Sequence, residues 1–220
     1  RSTNVKMSSV GLAECLTKGA EAIGWRASGP RSVLGVSERR GFGCAIGLWT
    51  GAGGSTPSGA QVDVLEDGSI ILSNPVVDHG GEQQTELRQM VSEVMGLPME
   101  KVASIWGDTD CCPEDLTGVV ASRTTLVVGV AAIRASQEAK KKLLRLASEY
   151  LQADFDDLGI EEGLIRVRSN RDLKVSFRDV AKYAASRGES ITGASSCQPN
   201  DSVYSFSAAF AEVIVDVETG

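Results

Sequence analysis

The chain is poor in aromatic residues, which make up 5% of its 220 positions, and it holds one histidine, His79. Few aromatics and a net charge of −7, with lysine and arginine scattered rather than striped, exclude a surface that stacks on bases and follows a phosphate backbone. No apolar run approaches the roughly 20 residues that span a bilayer, and Arg1-Ser2-Thr3-Asn4 lacks the charged-then-apolar pattern of a signal peptide. A globular, cytoplasmic protein is expected, with neither nucleic acid nor membrane among its partners. The five cysteines, Cys15, Cys44, Cys111, Cys112 and Cys197, form an odd set without C-x-x-C spacing and read as reduced thiols rather than zinc or iron–sulfur ligands. Cys111-Cys112 is open to two readings, a reactive pair or small residues packed beside a proline turn. Neither G-x-x-x-x-G-K-[ST] nor G-x-G-x-x-G occurs, and Ser122 lacks the G-x-S-x-G elbow of a nucleophile.

At 42% hydrophobic residues the chain can bury a core. Leu12, Cys15, Leu16, Gly19 and Ile23 predict a first helix capped by Ser8 or Ser9. Gly29 to Arg40 reads as a connector, Gly41 to Ala52 as a buried strand, and Gly51 to Gly59 as a mobile loop. Asp67-Gly68, between Gln61–Glu66 and Ser69–Ser73, predicts a hairpin, because both turn residues tolerate positive φ. Leu87, Met90, Val91, Val94 and Met95 mark a helix ended by Gly96 and Pro98, and Lys101 to Trp106 a strand. A longer helix reaches Leu151, with Leu126, Val130, Ile133, Leu143 and Tyr150 inward and Glu138 to Lys142 on a solvated face. Leu164–Val167 and Val203–Asp216 read as strands, 177–186 as a helix, Leu173–Phe177 as ambiguous, and Gly188–Asp201 as a loop. The order predicts an α+β fold with helices packed on mixed or antiparallel sheets. It is taken as one domain over 1–220, with subdomains at 1–150 and 151–220. Without an initiator methionine, and stopping at the turn sequence Asp216 to Gly220, the chain is expected to be a fragment of a longer polypeptide.

Two segments, residues 78–85 and 117–125, put glycine and hydroxyl side chains at the start of a helix. Unpaired N–H groups gather there, and small residues let a phosphate or pterin edge approach the main chain. The candidate cradle is His79, Gly80 and Gly81 from the first loop with Ala121, Ser122, Arg123, Thr124 and Thr125 from the second. Arg123 has two equal readings: a bidentate phosphate ligand, or a structural ion pair with Asp108 or Asp110. His79 with Asp78 and Glu82 supplies too few ligands for a closed metal site and reads as a hydrogen-bonded loop residue. A hydrolase using His79 with Asp78 or Glu82 would need a metal or a nucleophile beside it.

Several motifs occur together in one order: Gly11-Leu12-Ala13-Glu14-Cys15-Leu16, Gly19 to Trp25, Arg40-Gly41-Phe42-Gly43, Glu66-Asp67-Gly68-Ser69, Asp78-x-Gly80 with Thr85 and Gln89, Ala121-Ser122-Arg123-x-Thr125 with Gly129, and Phe210-Ala211-Glu212-Val213. In that order they resemble the molybdenum-binding large subunit of the xanthine dehydrogenase/aldehyde oxidase family, over almost the whole chain. The resemblance implies a C-terminal fragment of the molybdopterin-binding domain. Its cofactor is molybdopterin or its cytosine dinucleotide, with molybdenum held by the cofactor's dithiolene rather than by protein ligands. It further implies hydroxylation of an aldehyde or N-heterocycle, with the remainder of the large subunit, iron–sulfur and FAD subunits and a small-molecule substrate as partners. The family's glutamate base lies beyond Gly220 and its metal-capping glutamine before Arg1, so this chain alone is expected to be inactive and to carry no catalytic residue. Where many relatives have Gly-Gln-Gly, this sequence has Gly80-Gly81-Glu82, so Glu82 is expected to turn away from the cofactor or the cofactor variant to differ. The alternative is a non-catalytic assembly or partner-binding domain derived from the same family.

Overall fold

The computed structural model describes residues 7, 9–25, 37–51, 56–161, 163–198 and 203–220. The chain divides into two compact units, residues 1–53 with 201–220, and residues 54–200.

In the first unit, β1 (Glu38–Gly51) and β9 (Val203–Asp216) pair antiparallel along their whole length, from Glu38 opposite Asp216 to Gly51 opposite Val203. Helix α1 (Leu12–Ala22) packs on β9. Gly19 makes this close approach feasible, since a Cβ there would lie 2.2 Å from the Phe210 ring. Trp25 sits edge-on to Phe42 and Phe210, with centroids 6.1 and 6.0 Å away. The expected serine cap is replaced by Gly11, which makes no side-chain cap bond; Ser8 lies outside the described residues. β1 is not the buried strand its apolar residues suggested, because Ile46, Leu48 and Trp49 are more than half exposed within the described residues. An 11-residue helix is about 16 Å long and a 14-residue strand about 46 Å, so α1 covers only part of one face of the ribbon. Most of the connector reading, and residues 52–55 of the loop reading, lie outside the described residues.

The second unit is built on a four-stranded mixed sheet in the order β4-β3-β2-β8: Val102–Trp106, Ile70–Asn74, Ser58–Val64 and Ile191–Cys197. The β2–β3 hairpin turns through Gly68 at φ +84°, while Asp67 Oδ1 accepts from both the N–H and the hydroxyl of Ser69. β3 and β4 are parallel, joined by a crossover through α2 (Gln83–Met95), which Gly96 ends at φ +69°. Leu87, Val91 and Met95 form the buried stripe of α2.

Helix α3 (Val130–Leu151) lies on β8 and β2, and of the residues expected to face inward only Leu143 is buried. Ala131, Ala132, Ala135, Ser136, Ala139, Leu143, Leu146 and Ala147 are buried, whereas Leu126, Val130 and Ile133 are only half-buried. Tyr150 is largely exposed, its ring edge-on to Tyr183 at 5.5 Å. Distance of approach explains the choice: a Cβ on Gly193 would lie 2.0 Å from the Ala135 carbonyl oxygen, so only small side chains fit between α3 and β8. The face bearing Glu138 to Lys142 is not simply solvated either. Lys140 donates to the Val94 carbonyl at 2.6 Å and Lys142 to that of Thr192 at 2.6 Å.

A three-stranded antiparallel sheet, β5 (Leu158–Glu161), β6 (Leu164–Val167) and β7 (Lys174–Ser176), runs into α4 (Phe177–Ser186). Ser176 caps α4, its Oγ accepting from the Asp179 N–H at 3.1 Å. Thus Leu173–Phe177 resolves into strand then helix, β5 joins the sheet unannounced, and the segment read as a loop over 188–201 contains β8. The fold is α+β with mixed and antiparallel sheets, as expected. Because α3 packs on both α4 and β8, the 54–200 unit runs through position 150. Among the described residues no helix is long and apolar enough to cross a membrane.

Candidate functional site

The first loop leaves β3 at Asn74, a fully buried amide that ties the next residues to their neighbours. Its Nδ2 donates to Gln84 Oε1 at 3.1 Å and Ser104 Oγ at 3.0 Å, and its Oδ1 accepts from the Val76 N–H at 3.0 Å. Gln84 returns a bond to the Val76 carbonyl at 2.7 Å, so the loop is anchored to α2 and β4 from within. Asp78 Oδ1 accepts from the Gly80 N–H at 2.8 Å, and Gly80 takes φ +96° with open space where a Cβ would point. Glu82 enters α2 in the left-handed region at φ 59°, and its carboxylate folds back to accept from the Thr85 hydroxyl at 3.0 Å. His79 is a hydrogen-bonded loop residue, with a ring nitrogen 3.1 Å from the Gln83 amide nitrogen.

The second loop is closed by a buried ion pair. Arg123 Nη1 meets Asp115 Oδ2 at 2.5 Å, with side chains 1% and 4% exposed. The same guanidinium donates to the carbonyls of Gly118 and Thr56, each at 2.9 Å. Asp115 Oδ1 accepts from the Thr117 and Gly118 N–H groups at 2.8 and 3.0 Å. Burial pushes the Asp115 carboxyl up, but the bonds from Arg123 and from the Gly118 and Thr117 amides outweigh it and hold it below the ordinary aspartate range. The ion-pair reading of Arg123 is therefore the one the fold uses, with Asp115 in place of Asp108 or Asp110. Its two Nη atoms are bonded inside the protein, while its buried Nε has no hydrogen-bond partner among the described residues.

Ala121 and Ser122 take φ 49° and 53°, two successive non-glycine residues in the left-handed region. They lead into a π-helical stretch, Thr124–Gly129, that continues as α3. Gly129 lets this stretch sit against α2, since a Cβ there would lie 2.8 Å from Met90 Sδ. The Thr125 hydroxyl donates to Glu86 Oε1, joining the second loop to the first turn of α2.

The two loops face one another across a pocket of about 420 Å³, with His79, Gln83 and Glu86 on one side and residues 119–125 on the other. Of the residues singled out from sequence, His79, Ala121, Ser122, Arg123, Thr124 and Thr125 line it; Gly80 and Gly81 shape the turn beside it without lining it. Sequence reasoning missed Glu86 and Gln83, whose helical spacing gave no sign of a shared wall, and the Asn74–Gln84–Ser104 brace, which needs three separate elements. Among the described residues no group of three His, Cys, Asp or Glu could hold a metal ion. Cys112 donates to the Ile105 carbonyl at 3.5 Å, and the exposed Cys111 thiol is shifted up by desolvation and by Asp108, the opposite of a poised thiolate.

Helix-start donors, left-handed backbone and one carboxylate acceptor around a single pocket define an α+β domain suited to a large, polar cofactor. The chain belongs to the molybdopterin cofactor-binding domain family, whose sequence model matches residues 18–220. It is 29% identical over 225 residues to the putative xanthine dehydrogenase molybdenum-binding subunit of Escherichia coli K12, covering 98% of this chain and 30% of that protein. It thus spans under a third of that relative's length. Its fold is similar to that of quinoline 2-oxidoreductase from Pseudomonas putida 86, with a TM-score of 0.68 at 22% identity over 94% of this chain and 27% of that one. It is also similar to CO dehydrogenase from Oligotropha carboxidovorans, with a TM-score of 0.70 at 21% identity over 94% of this chain and 26% of that one.

Proposed function

We propose that this chain is the part of a cytoplasmic molybdenum hydroxylase large subunit that cradles the pterin of its cofactor. The observation that carries the reading is the pocket in which His79, Gln83 and Glu86 face the left-handed Ala121-Ser122 step and the start of the π-helical stretch. The residues suit such a group. First-turn N–H groups and the hydroxyls of Ser122 and Thr124 offer donors, whereas Glu86 offers an acceptor. A bare phosphate presents acceptors alone and is repelled by a carboxylate; a pterin edge presents both donors and acceptors. Glu82, bonded to Thr85, lies to the side of this arrangement.

When bound, the cofactor supplies a redox-active molybdenum held by its dithiolene. The residues of this chain would then orient the pterin, with Ser122 and Thr124 offering donors to it and Glu86 an acceptor, while the Arg123–Asp115 pair keeps the loop in shape. The whole protein hydroxylates an aldehyde or N-heterocycle with oxygen from water and passes electrons to iron–sulfur and FAD partners, and this chain alone turns nothing over.

The test is molybdenum and pterin content per large subunit, measured on the full-length protein purified with its partner subunits from cells that make the cofactor. About one of each is the expected result, reduced severalfold by Ser122→Val. Absence of both overturns the reading in favour of an assembly domain, with Gly81-Glu82 as the change to revert.

A further inference from the structure

A second cleft, of about 500 Å³, opens between α3 and the β5–β6 hairpin. Lys140 stands on the helix that begins at the loop pocket, about 24 Å beyond Thr124 at 1.5 Å per residue, so the two cavities are separate. Lys140 lines one wall; Glu161, Arg166, Arg168 and Arg171 line the other. The register sets Gly159 opposite Arg166, and the missing side chain leaves room, since a Cβ there would lie 3.3 Å from Arg168 Nε.

The charges in this cleft do not balance. Arg171 bonds to the Glu161 carboxylate, and Arg166 Nε stands 3.7 Å from the same group, beyond hydrogen-bond reach. That Nε is buried and without a hydrogen-bond partner among the described residues. Arg168 Nη1 donates to the Asp156 carbonyl at 3.2 Å and Lys140 to the Val94 carbonyl, but neither has a carboxylate partner among the described residues. Among the described residues lining the cleft, four cations share one carboxylate, that of Glu161. In a chain of net charge −7 this is a local reversal of sign. The buried Arg166 Nε without an acceptor is costly, and a tetrahedral oxyanion supplies several acceptors at once.

We propose that this cleft binds a phosphate-class oxyanion, held by Arg166, Arg168 and Lys140, with the Arg171–Glu161 pair at its rim. Burial pulls the Lys140 ammonium below its ordinary range, and a bound anion offsets that penalty. The group bound is a free phosphate or the phosphate of an ester, and the two differ in whether the organic part adds affinity.

The experiment is titration of this chain at low salt with inorganic phosphate, pyrophosphate and AMP, monitored by amide NMR shifts and calorimetry. Saturable shifts centred on residues 159–168 are expected. Arg168→Gln, at an exposed side chain that leaves the hairpin intact, should weaken binding at least tenfold. Arg168→Lys should retain most of it, and Lys182→Gln, an exposed cation on α4, should change nothing. AMP binding more tightly than phosphate identifies an ester; equal affinity identifies the phosphate group alone. Shifts centred on residues 119–125 instead, no saturation with any of the three, or equal weakening by Arg168→Gln and Lys182→Gln would each overturn the proposal.

Discussion

Replacing Arg123 with methionine removes the guanidinium that closes the second loop and leaves the Asp115 carboxylate, 4% exposed, facing no cation. Breaking a buried pair from one side costs about 3–5 kcal/mol, because the remaining charge stays desolvated. Two carbonyls, of Gly118 and Thr56, lose their donor as well, which places the effect at the upper end of that range. With a urea m-value of about 2 kcal/mol/M, a loss of about 5 kcal/mol moves the midpoint down by about 2.5 M. Far-ultraviolet circular dichroism reports chiefly on the 54–200 unit, since α2, α3 and α4 all lie in it.

The pH dependence sharpens the test. In the parent chain the Asp115 carboxyl is held below its unfolded value, so its contribution is fully present above about pH 4 and is lost as pH falls through the lower folded value. Without Arg123 the carboxyl loses the largest of the bonds that lower it and so rises relative to the parent, and acid then neutralises the orphaned charge at a higher pH and relieves the variant. The difference between parent and variant should therefore shrink between pH 7 and pH 4. Arg123→Met with Asp115→Leu should recover much of the loss, as expected when both charges leave together. A midpoint shift equivalent to less than about 1 kcal/mol at pH 7, or one that does not change with pH, would refute the argument.

Local geometry sets three other expectations. Gly193→Ala drives a methyl into the Ala135 carbonyl oxygen and the Ala139 nitrogen, at 2.0 and 2.5 Å, and should cost about 3 kcal/mol or more, read as a fall in Tm. Glu82→Gly releases a left-handed side chain at the start of α2 and should stabilise by up to about 1 kcal/mol in the same assay, since the exposed Thr85 bond is the only side-chain bond lost among the described residues. Cys111 should react with iodoacetamide more slowly at pH 7 than a free cysteine, because desolvation and Asp108 raise its thiol; Asp108→Asn should speed it.

Local chemistry carried much of this protein in plain view. Asp67-Gly68 fixed the β2–β3 hairpin because few residues tolerate that turn, and Gly96 ended α2 because it alone accepts the left-handed cap without strain. Val203–Asp216 and Phe177–Ser186 were legible from periodicity, and the two loops opening helices marked the pocket. Tertiary packing decided the rest. Composition made residues 188–201 a loop, yet β8 forms there because β2 offers an open edge and α3 needs a glycine beneath it. The same close approach gave the stretch of α3 nearest Gly193 to alanines, while Val130 and Ile133 stay half-buried and Leu143 and Leu146 are buried further along the helix. Arg123 found Asp115 instead of the other nearby acids because the loop's own turn points that carboxylate inward, which no spacing along a chain encodes. Periodicity reports which residues can face a core; only the distance between packed elements determines which of them do.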